Sequence, residues 1–221
     1  MRKAFRIFVW GVFFLAAGVA IVGVGVWIAL RHVPSGYRRL AAADPAEAQK
    51  ASDEMVRRSL ALRNALATQG KWRACFSAEH LNGWFAVDMV QNHPELLPAG
   101  WSSPRIQITP GGIVAYGRFQ RGMVDCVVSL YCEVSLVERN LLAVRIHRVR
   151  AGALPMPLKE VIDRITQAAV QRQVPLQWRQ SGGDPVALIP LDFRHPETRR
   201  QVQVESLRIQ EDMICLAGST Q

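Results

Sequence analysis

The sequence lacks the short motifs that mark the common enzyme classes. It has no Gly-x-Ser-x-Gly, no His-Glu-x-x-His, no glycine-rich phosphate loop ending in Lys-Ser/Thr and no Cys-x-x-Cys. Its histidines stand at no spacing that requires them to meet a carboxylate. Asp125 and Glu133 share a predicted strand, but eight residues of strand separate them by ~26 Å, too far to act together. We therefore expect a protein that is not an enzyme, with no catalytic residue, no cofactor and no metal site.

Charged and strongly polar residues are absent from Ile7 to Leu30. A helix of this length rises about 1.5 Å per residue and crosses a ~30 Å hydrocarbon core. Trp10 and Trp27 lie near its ends, where aromatic rings favour the headgroup level. A cleaved signal peptide is the alternative, but ten more apolar residues follow its best cleavage sequence, Gly18-Val19-Ala20. We predict an uncleaved transmembrane helix over residues 7–30.

The basic residues that flank this segment hardly bias its orientation. Three precede it and three follow it closely, namely Arg2, Lys3 and Arg6, then Arg31, Arg38 and Arg39. Only residues 1–6 precede the segment, which favours a short cytoplasmic stub with the large domain on the other side. We expect a single-pass cell-membrane protein with a juxtamembrane linker at 31–43 and one extracytoplasmic domain at 44–221.

Low-complexity tracts, fixed-period repeats and basic blocks with interleaved aromatic residues are also missing, and the last absence argues against nucleic acid as a partner. The formal net charge is nevertheless +9. A basic domain that is held at a bilayer is placed to meet anionic lipid headgroups. Arg145, Arg148 and Arg150 are the candidates for that contact.

Three helices are predicted after the anchor. Asp44 as cap, Pro45 at the first position and Glu47 at the third begin a helix that ends near Gln69, with one apolar stripe that we expect to pack on a sheet. Ser77 caps a second helix from Ala78 to about Gln91. Pro155-Met156-Pro157 opens the third, whose stripe is made of Leu158, Val161, Ile162, Ile165 and Ala169.

Strands with period-two alternation fill the rest of the chain. The clearest runs from Val124 to Leu136, with its even-numbered residues apolar. Ile106 and Ile108 before a Pro110-Gly111-Gly112 turn indicate a hairpin, and Leu141 to Arg150 forms the next strand. Two more hairpins turn at residues 181–185 and 211–212. The sum predicts an α+β fold in which a mostly antiparallel meander of six to seven strands is covered by two or three helices.

The four cysteines all stand among apolar residues. Cys126 and Cys132 share one strand, which separates them by ~20 Å against a limit of ~7 Å between the Cα atoms of a disulfide. They cannot pair with each other. Cys75 or Cys215 could bridge to one of them, but we favour four free buried thiols that act as small hydrophobic side chains.

The order of segments resembles a known family. An anchor and a helix are followed by Phe76-Ser77-Ala78-Glu79-His80-Leu81-Asn82-Gly83-Trp84, long strands, and Gly152-Ala153-Leu154-Pro155-Met156-Pro157 at a helix start. Over residues 75–217 this is similar to the YpmS-like small single-pass envelope proteins of bacteria and, more distantly, to tubular lipid-binding domains. The resemblance implies an apolar groove between strands and a long helix, and a lipid ligand, but no catalytic residue.

Two functions follow as hypotheses. The first is a membrane-tethered module that binds a lipid or another apolar ligand in a groove between sheet and helices. Its candidate lining residues are Val128, Leu130, Val134, Leu158, Val161 and Ile165. The alternative is a non-catalytic structural or assembly component of a cell-envelope complex, with a protein partner. Small residues four apart in the anchor (Ala16 with Ala20, Gly25 with Ala29) would let it self-associate.

Overall fold

A computed structural model describes residues 20–191, 193–195 and 198–221, and it has an α+β fold. The helices are α1 (residues 20–31, as far as it is described), α2 (Ser35–Ala41), α3 (Pro45–Ala67), α4 (Ala78–Ala86), α5 (Asp88–Asn92) and α6 (Leu158–Gln171), with a 3₁₀ turn at Pro94–Leu96. The strands are β1 (Gly70–Ser77), β2 (Trp101–Thr109), β3 (Gly112–Arg121), β4 (Val124–Glu138), β5 (Leu141–Ala151), β6 (Leu154–Pro155), β7 (Gln177–Ser181), β8 (Asp184–Pro190), β9 (Phe193–Arg194), β10 (Gln201–Gln210) and β11 (Met213–Thr220).

The strands form two antiparallel sheets, whereas the sequence predicted one meander. The larger sheet has the order β2-β3-β4-β5-β8-β7, and the short β6 adds to β5. The smaller sheet has the order β1-β11-β10-β9. It joins a strand near the start of the domain to the last strand of the chain. Period-two alternation identifies each strand but carries no information about so distant a partner, which is why the second sheet was missed.

Asn140 joins the two sheets. It occupies the β4–β5 turn with a φ of 59°, a conformation that asparagine tolerates better than most residues. Its Oδ1 accepts a hydrogen bond from Val204 N at 2.6 Å, and its backbone carbonyl accepts one from Leu191 N, also at 2.6 Å. Beside it, Leu136 of β4 packs on the buried cluster of Trp72, Val202 and Val204 in the smaller sheet.

Helix α3 begins at the predicted cap, since Asp44 Oδ1 accepts hydrogen bonds from Ala46 N and Glu47 N. Its carboxyl-terminal half packs on the smaller sheet through Leu62 and Leu66, as predicted. Its amino-terminal half packs on α4 instead, where the two backbones almost touch. A Cβ at Gly83 would lie 2.6 Å from Ala51 Cβ. Glycine at this position is what permits the close helix crossing.

The predicted second helix is two helices. Ser77 caps α4 through its Oγ, which accepts from His80 N, and the His80 side chain completes the reciprocal pair with the Ser77 backbone. Val87, with φ −115° and ψ −75°, separates α4 from α5. The Asn82 side chain then pairs with both backbone groups of Ile106, at 2.7 and 2.8 Å, and so fastens α4 to the edge strand β2.

The expectation of four free thiols is wrong for Cys75 and Cys215. These residues face each other directly in the β1–β11 register and form a disulfide. They face each other because β1 pairs with β11 in the smaller sheet, and the sequence did not reveal that pairing. Cys126 and Cys132 are both free, which confirms that they do not bridge to each other.

Residues 7–19 of the predicted transmembrane segment lie outside the described residues. Within the described ranges, no helix combines the length and the apolar character that crossing a bilayer requires. Most of the predicted linker is ordered on the domain: α2 buries Tyr37 against Tyr116 of β3 and Val127 of β4.

Candidate functional site

The larger sheet has one predominantly apolar face, with Arg121 and Gln180 at its margins. In the strand register, Val128 of β4 lies between Gly117 of β3 and Ala151 of β5, and every other residue of β4 continues that face. We call this surface the inner face. It consists of Trp101, Ile106, Ile108, Ile113, Ala115, Gly117, Phe119, Cys126, Val128, Leu130, Cys132, Val134, Leu136, Leu142, Val144, Ile146, Val149, Ala151, Trp178, Ala187 and Ile189.

The inner face is only partly covered. Some of its residues are buried, such as Ile108 and Ile146. The three strand residues predicted to line a groove, Val128, Leu130 and Val134, all belong to this face, and each remains partly exposed. A closed core would bury aliphatic side chains in the middle of a long sheet almost completely.

Helix α6 lies over the inner face without sealing it. The Trp178 indole N–H donates a hydrogen bond of 2.8 Å to Thr166 Oγ1, which ties the helix to that side of the sheet. At the end of the helix, Arg172 donates to the backbone carbonyls of Glu95 and Leu96. No residue of α6 is buried. Polar contacts therefore position a helix that the sequence predicted to be packed as a cover.

The predicted helix residues Leu158, Val161 and Ile165 are likewise partly exposed, whereas the charged residues between them are exposed. They form one stripe of α6, at the three- and four-residue spacing of a helix face. Thr166, which contacts Trp178 of the inner face, is the immediate neighbour of Ile165. All six predicted groove residues thus belong to two apolar surfaces that lie on the same side of the sheet.

Two aromatic rings mark one end of the inner face. A Cβ at Gly117 would lie 2.8 Å from Trp101 Cε3, so the Trp101 ring covers that glycine. The same ring lies 5.4 Å from the ring of Phe119, centroid to centroid. Because Gly117 is the register partner of Val128, this aromatic pair stands beside the predicted groove residues.

The two free cysteines also belong to the inner face. Burial raises the pKa of the Cys132 thiol to about 11 and also raises the pKa of Cys126. Because the thiolate is the reactive form, both side chains stay protonated near neutral pH and act as small apolar groups. Their chemistry matches that of the aliphatic residues around them.

The predicted headgroup-contact residues lie on the opposite, outer face of the sheet. In the register Arg145, Arg148 and Arg150 pair with Glu133, Tyr131 and Ser129 respectively, the odd-numbered side of β4. The Arg148 guanidinium lies 4.0 Å from the Tyr131 ring centroid. Arg145 donates a hydrogen bond to Ser181 Oγ at 3.0 Å. None of the three arginines shares a face with the groove residues.

One acid–histidine cluster was not foreseen from the sequence. His147 Nδ1 lies 2.8 Å from Asp184 Oδ2, and its Nε2 lies 3.8 Å from Glu133 Oε2. A register shift of β5 beside Tyr131 puts His147 on this outer side. His147 and Glu133 are exposed and Asp184 is partly exposed, so solvent screens these pairs. Among the residues that the structure describes, no three His, Cys, Asp or Glu side chains converge on a metal position.

Two concavities lie away from the inner face. A cleft of about 940 Å³ opens between α3, α4, β2 and the β10–β11 turn, with both polar and apolar walls. Arg105 lines it, and burial lowers the pKa of this guanidinium. A shallower hollow of about 390 Å³ between α3 and α4 is mostly apolar and includes Leu60, Trp84 and Phe85. The only sequence feature that pointed to these two concavities is the apolar stripe of α3, which lines both.

No protein-family model matches this chain, and neither a curated protein nor a solved structure matches it significantly.

Proposed function

We propose that this protein is a membrane-anchored extracytoplasmic module that holds a lipid or another apolar ligand between the inner face and α6. One observation carries the proposal. Two apolar surfaces, one on the sheet and one on the helix, lie on the same side of the sheet, and α6 contributes no buried residue to the space between them. Such paired, unsealed surfaces are typical of a binding groove.

The energetics favour an occupant. Fully burying a Val or Leu side chain stabilises a fold by about 1.5–3 kcal/mol. The side chains of both surfaces are only partly buried, so they contribute only part of that stabilisation. An acyl chain laid between them would supply it, at about 0.8 kcal/mol for each buried CH₂ group. Away from its margins the inner face presents hydrocarbon, aromatic rings and protonated thiols, which suits an acyl chain better than a charged ligand.

Membrane attachment is the second part of the proposal. Residues 20–28 of α1 expose their apolar side chains along the helix, for example Ile21 at 72 %. Exposing an apolar helix to water is unfavourable, whereas a bilayer solvates its apolar side chains and leaves its backbone hydrogen bonds intact. We propose that residues 7–30 form a transmembrane helix, with the amino terminus in the cytoplasm.

The disulfide supports a location outside the cytoplasm. Cytosolic thiols are kept reduced, and structural disulfides persist in oxidising compartments. The Cys75–Cys215 bond joins two strands within the fold, with Cys215 buried, and involves no other cysteine. We therefore propose that residues 44–221 lie on the extracytoplasmic side of the cell membrane.

Native mass spectrometry of the full-length chain, purified in mild detergent, tests the ligand. We expect a protein mass with one or a few added lipid masses that survive detergent exchange, and lipid extraction should return the same species. A chain that carries no lipid under these conditions, and gains none when lipid is added, would contradict the proposal.

One surface favours the alternative, a structural component of an envelope complex. The hollow between α3 and α4 exposes Leu60 at 54 %, beside Trp84 and Phe85. Aromatic side chains in a shallow apolar hollow are typical of protein contact sites. In the same mass spectra, a stable dimer or a co-purifying protein without lipid would favour this function over the first.

A further inference from the structure

The turn between β3 and β4 projects an unusually exposed apolar side chain. Met123 is 96 % exposed, and Val124 beside it is 43 % exposed. Arg121, on the other side of the turn, is exposed as well. Gly122 adopts a φ of 59°, which makes the turn tight. A tip that combines an apolar residue with a cation suits the boundary between headgroups and acyl chains.

The same end of the sheet holds the carboxyl-terminal end of α1. Ala153 N donates a hydrogen bond of 2.8 Å to the carbonyl of Ala29. The backbone of Ala29 and Leu30 also packs against Gly152, where a Cβ would overlap both carbonyl oxygens. Because Gly152 N bonds to Val127 O of β4, the helix end is fixed directly to the sheet.

The turn and the helix stand side by side. A hollow of about 530 Å³ lies between Trp27 and Arg31 of α1 and residues 120–125 of the turn. The Arg31 guanidinium lies 4.2 Å from the Trp27 ring centroid, and tryptophan is enriched at bilayer interfaces. At the base of the turn, Arg118 is held by both carboxylate oxygens of Asp125, which leaves Arg121 as the cation nearest the tip.

We propose that the β3–β4 turn is a second membrane contact, in which Met123 enters the headgroup boundary of the bilayer while Arg121 meets lipid phosphates. This inference rests on the proposed anchoring through α1. The occupant is a bilayer because the end of α1 beside this turn belongs to the uncharged segment Ile7 to Leu30, which is long enough to cross a membrane.

The contact would orient the groove. Phe119 stands two residues before Arg121 on the same strand, and it belongs to the aromatic end of the inner face. A turn held at the bilayer surface therefore places that end of the inner face next to the lipid. An anchor of one helix would let the domain tilt relative to the bilayer. A second contact at the β3–β4 turn, beside α1, would fix the orientation of the sheet relative to the bilayer.

The test uses the full-length chain reconstituted in vesicles that contain anionic lipid, with a bimane fluorophore attached at Met123→Cys. Lipids with a nitroxide near the headgroup quench the fluorophore only at short range. The matched control is Val137→Cys, a 58 % exposed position at the other end of β4, ~43 Å along the strand from Val124 at ~3.3 Å per residue. The wild-type chain, with Cys126 and Cys132 buried, gives the labelling blank.

We expect several-fold stronger quenching at position 123 than at position 137. Equal, weak quenching at both positions overturns the inference. If the protein still resists extraction by alkaline carbonate and still carries lipid in the mass spectra, that result leaves the proposed function in place. If alkaline carbonate releases the wild-type chain, the anchoring and the turn contact fail together.

Discussion

Replacing Val128 by tryptophan should weaken lipid binding at least about tenfold, a loss of about 1.4 kcal/mol or more, while the protein stays folded. Val128 is partly exposed near the aromatic end of the inner face, so added volume can extend into the space under α6 instead of displacing packed neighbours. The indole would occupy the volume that we assign to an acyl chain. Lipid retained per protein, measured by native mass spectrometry, gives the binding, and urea unfolding gives the stability.

Val127→Trp is the matched control for this change. Val127 is the next residue along the strand, but it points to the outer face, where it is 4 % exposed in the cluster with Tyr37 and Tyr116. Extra volume there has no space, so the free energy of unfolding should fall by about 1–3 kcal/mol, while the folded protein keeps its lipid. If Val128→Trp destabilises the protein as much as Val127→Trp does, the inner face is a closed core and the groove is wrong.

Removal of the disulfide should have the largest effect on stability. The double variant Cys75→Ala/Cys215→Ala is expected to lose about 2–5 kcal/mol of unfolding free energy. The upper part of that range applies because the bond closes a sequence separation of 140 residues, and the chain entropy released on unfolding grows with loop length. Urea unfolding with and without reductant measures the loss, and the double variant should no longer respond to reductant.

Cys126→Ala provides the comparison, because this buried thiol is free and its replacement removes only a small apolar group. We expect a loss of about 1 kcal/mol, on the scale of a buried methyl group, and a normal response to reductant. A double variant that is as stable as Cys126→Ala would show that the bond between β1 and β11 is not formed in the protein or does not constrain it.

Local sequence signals predicted most of the individual elements. Asp44, Pro45 and Glu47 gave the start of α3 correctly because capping depends only on neighbouring residues. The alternation from Val124 predicted β4, which extends two residues further than expected. The same alternation placed Val128, Leu130 and Val134 on one face, since side chains alternate strictly along a strand.

These local patterns could not predict contacts between segments that are distant in the sequence. Cys75 and Cys215 meet because β1 pairs with β11, and nothing near either cysteine encodes that pairing. Asn140 looked like an ordinary turn residue, yet its side chain joins the two sheets. The amphipathic stripe of α6 predicted a packed cover, but amphipathicity records only that a face avoids water and does not say whether protein or ligand covers it.

The placement of the arginines has a similar cause. Arg145, Arg148 and Arg150 follow the polar side of β5, and in a sheet with one apolar face that side is the one opposite the groove. Arg150 stands closest to Gly152, where α1 joins the sheet, and is exposed. Contact with bilayer headgroups therefore remains a proposal for Arg150, whereas contact with a ligand in the groove does not suit any of the three.

Photo-crosslinking tests the central claim most directly. The full-length chain in vesicles would be exposed to a phospholipid with a diazirine in its acyl chain, and the labelled peptides would be mapped by mass spectrometry. We predict labels on the inner-face residues of β4 and on the apolar stripe of α6, at Val128, Leu130, Val134, Val161 and Ile165, in addition to labels on the anchor. Labels confined to the anchor, or found only in the hollow lined by Leu60, Trp84 and Phe85, would contradict a lipid site between the inner face and α6.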